Sequence, residues 1–230
     1  MLWVKNKKLF LLVAVLPALF FQTIGAYFYY VYPGVEFPKV IYAITKIFLI
    51  VWPISCWLLI GKFDFIKTEK KLKTSFYWGL ISGLVFFAVV LVVYFLGKDY
   101  FQQFSPLILV KVQSFNLTGA NYLIFALFLS LIHSAIEEYY WRSFVFRGLL
   151  GVMKFHLALI VGSLGFALHH YLILSQFFPL STTIIFGTLV GVAGACWSYI
   201  YFKTNSLWGS WISHVLADMV VMTVGYMLIF

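Results

Sequence analysis

Charge is what this sequence has least of. Of 230 residues only 10% are charged, against 63% hydrophobic and 21% aromatic, where a soluble globular domain carries roughly 25% charged residues. That scarcity excludes an ordinary soluble domain, and no polar stretch is long enough to form a separate one. Acidic residues are scarcer still, seven Asp and Glu against sixteen Lys and Arg, for a formal net charge of +9. Most of the excess lies in short segments between apolar runs, so it reads as membrane topology and not as a nucleic-acid surface. Only two cysteines occur, Cys56 and Cys196, each within an apolar run, which argues against a disulfide framework or a cysteine metal site. H-E-x-x-H, G-x-S-x-G and Walker signatures are all missing.

What is present is a succession of apolar runs close to the ~20 residues that cross a bilayer as a helix. Seven spans are expected, at about Leu9 to Tyr32, Val40 to Gly61, Phe76 to Leu96, Asn121 to Phe146, Phe155 to Leu174, Thr182 to Phe202, and from Leu207 onward. The first run has no small-residue cleavage site and reads as a retained span. Between the third and fourth lies a mixed stretch, Lys98 to Gly119, too broken by polar residues to span, so an interfacial or re-entrant segment is expected. The expected fold is therefore an all-α polytopic bundle in one integral membrane domain, 1–230. It comprises three N-terminal spans (1–96), an interfacial segment (97–120) and a four-span core (121–230).

Basic residues set the orientation. Placing the N-terminus in the cytoplasm puts Lys5, Lys7, Lys8, Lys62, Lys67, Lys70, Lys71, Lys73, Arg142, Arg147, Lys154 and Lys203 inside, and only Lys39, Lys98 and Lys111 outside. The C-terminus is then outside. The basic loop Lys62 to Lys73 can also meet anionic lipid, and Lys46, within the second span, reads as a snorkelling interfacial lysine. Gly187, Gly191 and Ala195 form a small-residue stripe for close helix packing.

The ionisable residues inside the later spans carry the chemistry. Glu137, Glu138, Arg142 and His133 fall on the fourth, His169 and His170 on the fifth, and His214 and Asp218 on the seventh. A charge in hydrocarbon costs at least ~2.5 kcal/mol on insertion scales, so such residues are functional candidates by default. Glu138 and Arg142 stand i, i+4 with the acid first, the favourable order for an ion pair that fixes helix packing. Glu137, about 100° away around the helix, shares its face with His133 and remains the freer carboxylate. By the same angle only one of His169 and His170 is expected to point squarely into a common site. Ser134, Ser163 and Ser213 sit at packing positions.

A carboxylate and two or three histidines suit peptide hydrolysis. Glu137 takes a proton from water with help from His170, while His214 and a neighbour stabilise the oxyanion. The same groups also suit a Zn²⁺ site, as two histidines and a carboxylate (Glu137, His170, His214) with an open water position. Sequence leaves the two mechanisms open.

Three patterns in order then resemble the CAAX-protease and bacteriocin-processing (CPBP, or ABI) family of intramembrane proteases, also called type II CAAX prenyl endopeptidases. They are E-E-Y-Y-W-R (Glu137, Glu138, Arg142), F-A-L-H-H (Phe166 and His170) and H-V-L-A-D (His214, Asp218), the last preceded by Ser206-Leu207-Trp208. The resemblance covers about Asn121 to Met219. It implies a helical bundle of eight helices or fewer in which Glu137 and His170 activate water and His214 with residue 218 holds the oxyanion. Glutamate-protease and metalloprotease mechanisms have both been attributed to the family. His133, Phe166 and His169 are supporting candidates. Asp218 departs from the family's frequent asparagine, since an ionised carboxylate cannot donate to an oxyanion; it serves if protonated, or by orienting His214 or binding metal.

The expected partners are a membrane-associated protein or peptide substrate, cut near a terminus, and the bilayer, most plainly a bacterial inner membrane. A proton-coupled transporter using the same acids and histidines is the competing class, and a non-cutting partner-binding protein is a third. A transporter would favour internal symmetry, and the acid-poor first half repeats nothing in the second.

Overall fold

The computed structural model describes residues 7–32, 36–60, 71–114, 116–117 and 119–230. Most of the expected basic loop, 62–70, lies outside the described residues, as do Lys5 and the side chains of Lys7 and Lys39.

Seven of the described helices are long and apolar enough to cross a membrane. They are α1 (Lys7–Val31), α2 (Glu36–Ile60), α3 (Leu72–Leu96), α6 (Ala120–Leu150), α7 (Phe155–Leu174), α8 (Leu180–Thr204) and α9 (Leu207–Ile229). The mixed stretch forms two short helices, α4 (Lys98–Gln102) and α5 (Ser105–Ser114). Among the described residues there is no strand. The chain is thus an all-α integral membrane protein. Helices α2 and α3 leave broad apolar faces outward, including Ile47, Leu58, Val85 and Val92, as lipid requires.

Helix α6 runs on to Leu150, past the expected end at Phe146, so Arg147 also falls within the helix, and Arg142, counted above with the inside residues, lies well within the span, 1% exposed. Its residues Tyr140 through Phe146 are buried without interruption, so the other helices enclose its second half, while Leu123, Ile124, Leu127 and Phe128 near its start face outward. Two of its segments, Phe128–His133 and Tyr139–Phe146, wind as π-helix. Widened turns of this kind are frequent at functional sites. Within or beside them, Ser134 and Ser143 each donate to the carbonyl four residues back, Ser130 and Tyr139, the back-bonding that bends helices.

Small residues set the close approaches. A Cβ on Gly79 of α3 would stand 2.3 Å from the Gly209 carbonyl oxygen of α9, so the two backbones touch. Ser75 Oγ accepts from Gly209 N at 2.9 Å, and Ser82 Oγ donates to Ser213 Oγ at 2.9 Å. The stripe on α8 has a similar use: Gly187 leaves room for the Tyr171 ring and Gly191 lies against Ala167, joining α8 to α7. Asn205, left-handed at φ 52°, ends α8, and Ser206 caps α9 by accepting from Trp208 N. This sharp reversal returns α9 beside α8.

Candidate active site

The site lies where α6, α7 and α9 meet. Glu137 is 3% exposed, and its Oε1 stands 3.5 Å from His133 Nε2, one turn back on α6, and 3.5 Å from His169 Nε2 of α7. His214 Nε2 of α9 approaches Oε2 of the same carboxylate at 3.8 Å. Three imidazoles from three helices therefore face one buried carboxylate.

His214 is held on several sides. Its Nδ1 lies 2.9 Å from Glu138 Oε1; a carboxylate only accepts, so the proton is on Nδ1 and the bond fixes the tautomer. The Trp197 indole of α8 stacks on the ring at 4.1 Å between centroids, while its N–H donates to Ser213 Oγ at 2.8 Å. Phe166 presents an edge at 6.0 Å. The two nitrogens of one imidazole thus address two adjacent glutamates, Nδ1 toward Glu138 and Nε2 toward Glu137. The 100° divergence did not suggest this joint use.

Glu138 also meets Arg142, Nη1 at 3.1 Å from Oε1. The guanidinium donates through Nη2 to the Gly194 carbonyl at 3.1 Å and lies between the Phe166 and Trp197 rings, 4.7 and 5.1 Å from their centroids. Arg142 therefore neutralises Glu138 inside an aromatic enclosure, and Glu138 passes that fixed position to His214. Asp218, one turn after His214, places Oδ1 3.5 Å from Nε2 with its side chain 31% exposed, and the His133 side chain is 19% exposed. The site opens on the side of these two residues, between α6 and α9.

On α7 both histidines come to the site. His169 is buried, its ring parallel to that of Trp141 at 6.2 Å and tilted against that of His170 at 4.0 Å. His170 Nδ1 donates to the Phe166 carbonyl at 3.0 Å, which leaves Nε2 with the lone pair needed of a base or a metal ligand. Phe166 thus serves this region twice, by its carbonyl and by its ring. Donor atoms of Glu137, His169 and His170 all lie within 4.8 Å of one another, which makes the three a candidate metal-ligand set, although bonds of about 2.0 to 2.2 Å to one zinc ion would draw them closer. The set that converges in this way has His169 where sequence reasoning placed His214, whose Nδ1 is engaged by Glu138.

Sequence reasoning missed Trp197, the Ser82–Ser213 link and the π turns. None is signalled by the spacing of ionisable residues. Ser213, taken as a packing residue, is the acceptor for the Trp197 indole.

Residues 119–220 match the family model of type II CAAX prenyl endopeptidase Rce1-like proteins, a family of proteases. All the residues named above on α6, α7 and α9 lie within that stretch, and over it the resemblance read from the sequence is borne out. No curated protein and no solved structure matches the chain.

Proposed function

We propose that the protein is an intramembrane endopeptidase that cuts a membrane-associated protein or peptide near a terminus. One observation carries the reading: a buried carboxylate, Glu137, faced by His133, His169 and His214 from three helices at 3.5 to 3.8 Å, inside the family-matched stretch. Glu137 takes the proton from a water entering beside Asp218 and His133, and that water attacks the scissile carbonyl. His170, its Nε2 lone pair free, and His169 assist the transfer on the α7 side. The developing oxyanion lies toward His214, whose Nε2 donates to it when the ring is protonated, with Asp218 beside it. Glu137 then returns its proton to the leaving amine. Glu138 and Arg142 act as positioning residues for His214. The N-terminus is on the cytoplasmic side of the membrane.

A second reading is favoured by the convergence of Glu137, His169 and His170. In it these three residues hold a divalent cation such as zinc, which supplies Lewis-acid polarisation of water or carbonyl when bound. His214 and Asp218 keep their places on the oxyanion side.

Purified protein in lipid nanodiscs, offered a panel of lipid-anchored quenched peptides, separates these readings. Wild type is expected to cleave, and Glu137→Gln, His170→Ala and His214→Ala to lose cleavage. Undiminished cleavage in all three would sink the assignment. Full activity in a sample shown to be metal-free would remove the zinc reading, whereas loss with chelator and recovery with zinc would favour it.

A further inference from the structure

Lys46 is the only charged residue between Val40 and Ile60, and it does not behave as a snorkelling lysine. Its Nζ turns toward α1, 3.4 Å from Gln22 Oε1, and lies over the Tyr42 ring, 5.0 Å from the centroid. Gln22 is 3% exposed and is itself fixed, its Nε2 donating to the Thr45 carbonyl at 2.8 Å.

The level of this ammonium follows from its neighbours. Helix α1 runs antiparallel to α2, as the pairs Gln22 with Thr45 and Trp52 with Ala14 show, and to α6, as the pairs Tyr140 with Ala18 and Gly148 with Val15 show. Helices α2 and α6 are therefore parallel. The Phe48 ring faces Tyr140 at 6.4 Å. Two residues earlier on each helix, about 3 Å of rise, stand Lys46 and Glu138, so Lys46 lies at the depth of the glutamate pair.

An ammonium has three donors, and here one long bond to an amide and one aromatic face serve it. Among the described residues no carboxylate forms a salt bridge with it. A charge at membrane depth calls for an anion or a wet cavity. The other cation beside the site, Arg142, is fully buried, already ion-paired with Glu138 and flanked by the Phe166 and Trp197 rings, whereas Lys46 has no carboxylate of its own among the described residues. A peptide whose end enters the membrane brings one unavoidable negative charge, its terminal carboxylate.

We propose that Lys46 is the seat for a substrate carboxylate, the free C-terminus of the peptide being cut, held beside α1 and α2 while the scissile carbonyl faces Glu137. This rests on the protease reading and adds to it the feature by which a substrate end is recognised. Gln22 is the positioning residue that holds the ammonium in place.

The test uses full-length protein in nanodiscs carrying Glu137→Gln, so that binding is read without turnover. Three lipid-anchored peptides are compared: one with a free C-terminal carboxylate, the same sequence as the carboxamide, and the carboxamide with an acidic side chain near its end. The acid is expected to bind about tenfold more tightly than the carboxamide, as for one close charge pair. Adding Lys46→Met should bring that ratio to about one, and Lys46→Arg should keep it. Equal binding of acid and carboxamide with Lys46 present overturns the proposal, as does a preference that survives in Lys46→Met. If the acidic side chain restores tight binding to the carboxamide, the terminus as the source is overturned and a carboxylate seat stands. Cleavage by the unmutated protein is measured separately. Absent cleavage with an intact acid preference rejects the protease reading and not the seat.

Discussion

The first three helices and the stretch from Ala120 onward differ in what they contribute. Every residue proposed to touch the reacting atoms belongs to α6, α7 or α9, within the family-matched stretch. From α1, α2 and α3 come supports, the Ala18 carbonyl that accepts from Tyr140 and the Ser75, Gly79 and Ser82 face that seats α9, together with Lys46, the proposed seat for the substrate's end, held by Gln22. Reactive groups and the scaffold that aims them thus come from separate lengths of chain. Substitutions in the two regions should fail in different ways.

The largest effect is expected at Glu137. Glu137→Gln removes the general base and should lower kcat by about 10² to 10⁴, with the thermal unfolding midpoint little changed; both are read on detergent-purified protein. Glu138→Gln should cost less, about 10- to 100-fold as for partners that orient an active group. The loss should fall on kcat more than KM, because Glu138 reaches the substrate only through His214. Equal losses at Glu137 and Glu138 would erase the proposed division between a reacting and a positioning glutamate.

On the scaffold side, Gly79→Leu drives a side chain into the Gly209 backbone and should destabilise the protein by about 1 to 3 kcal/mol. Activity should fall in parallel, because α9 carries His214. Loss of activity in this variant with unaltered unfolding would show that α3 does more than support. The smallest effect is expected from Ser82→Ala, which removes one interhelical hydrogen bond worth about 0.6 kcal/mol in a membrane protein. Calorimetric or denaturant unfolding resolves a difference of that size.

The seven spans were legible because hydrocarbon thickness sets helix length, and each expected span overlaps a helix. The ends were less so: α6 continues past Phe146 to Leu150 because Arg147 lies beyond a buried, aromatic turn and not in a loop. Glu137, Glu138, His170, His214 and Asp218 stood out as charges where charges are costly. Their mutual geometry did not, since an i, i+4 rule assumes regular winding and α6 has π turns on both sides of its glutamates. That rule finds Glu138 with Arg142, yet it is silent on His214 arriving from α9 to share Glu138. His169 was ranked below His170 by motif spacing alone, and its approach to Glu137 at 3.5 Å depends on how α7 leans on α6. Trp197 carried no signal because a tryptophan on an apolar helix looks like any other lipid-facing or packing ring. Lys46 did carry one, an ammonium within the second span, but its place near that span's start led to the snorkelling interpretation, which set it aside.

The central claim, that Glu137 is the reacting carboxylate of a membrane protease, can be read without knowing the substrate. Cells expressing wild type or Glu137→Gln at equal abundance would be compared by mass-spectrometric profiling of the C-termini of their membrane proteins. New C-termini should appear with wild type and be missing with Glu137→Gln; identical profiles from the two, at confirmed equal expression, would contradict the claim.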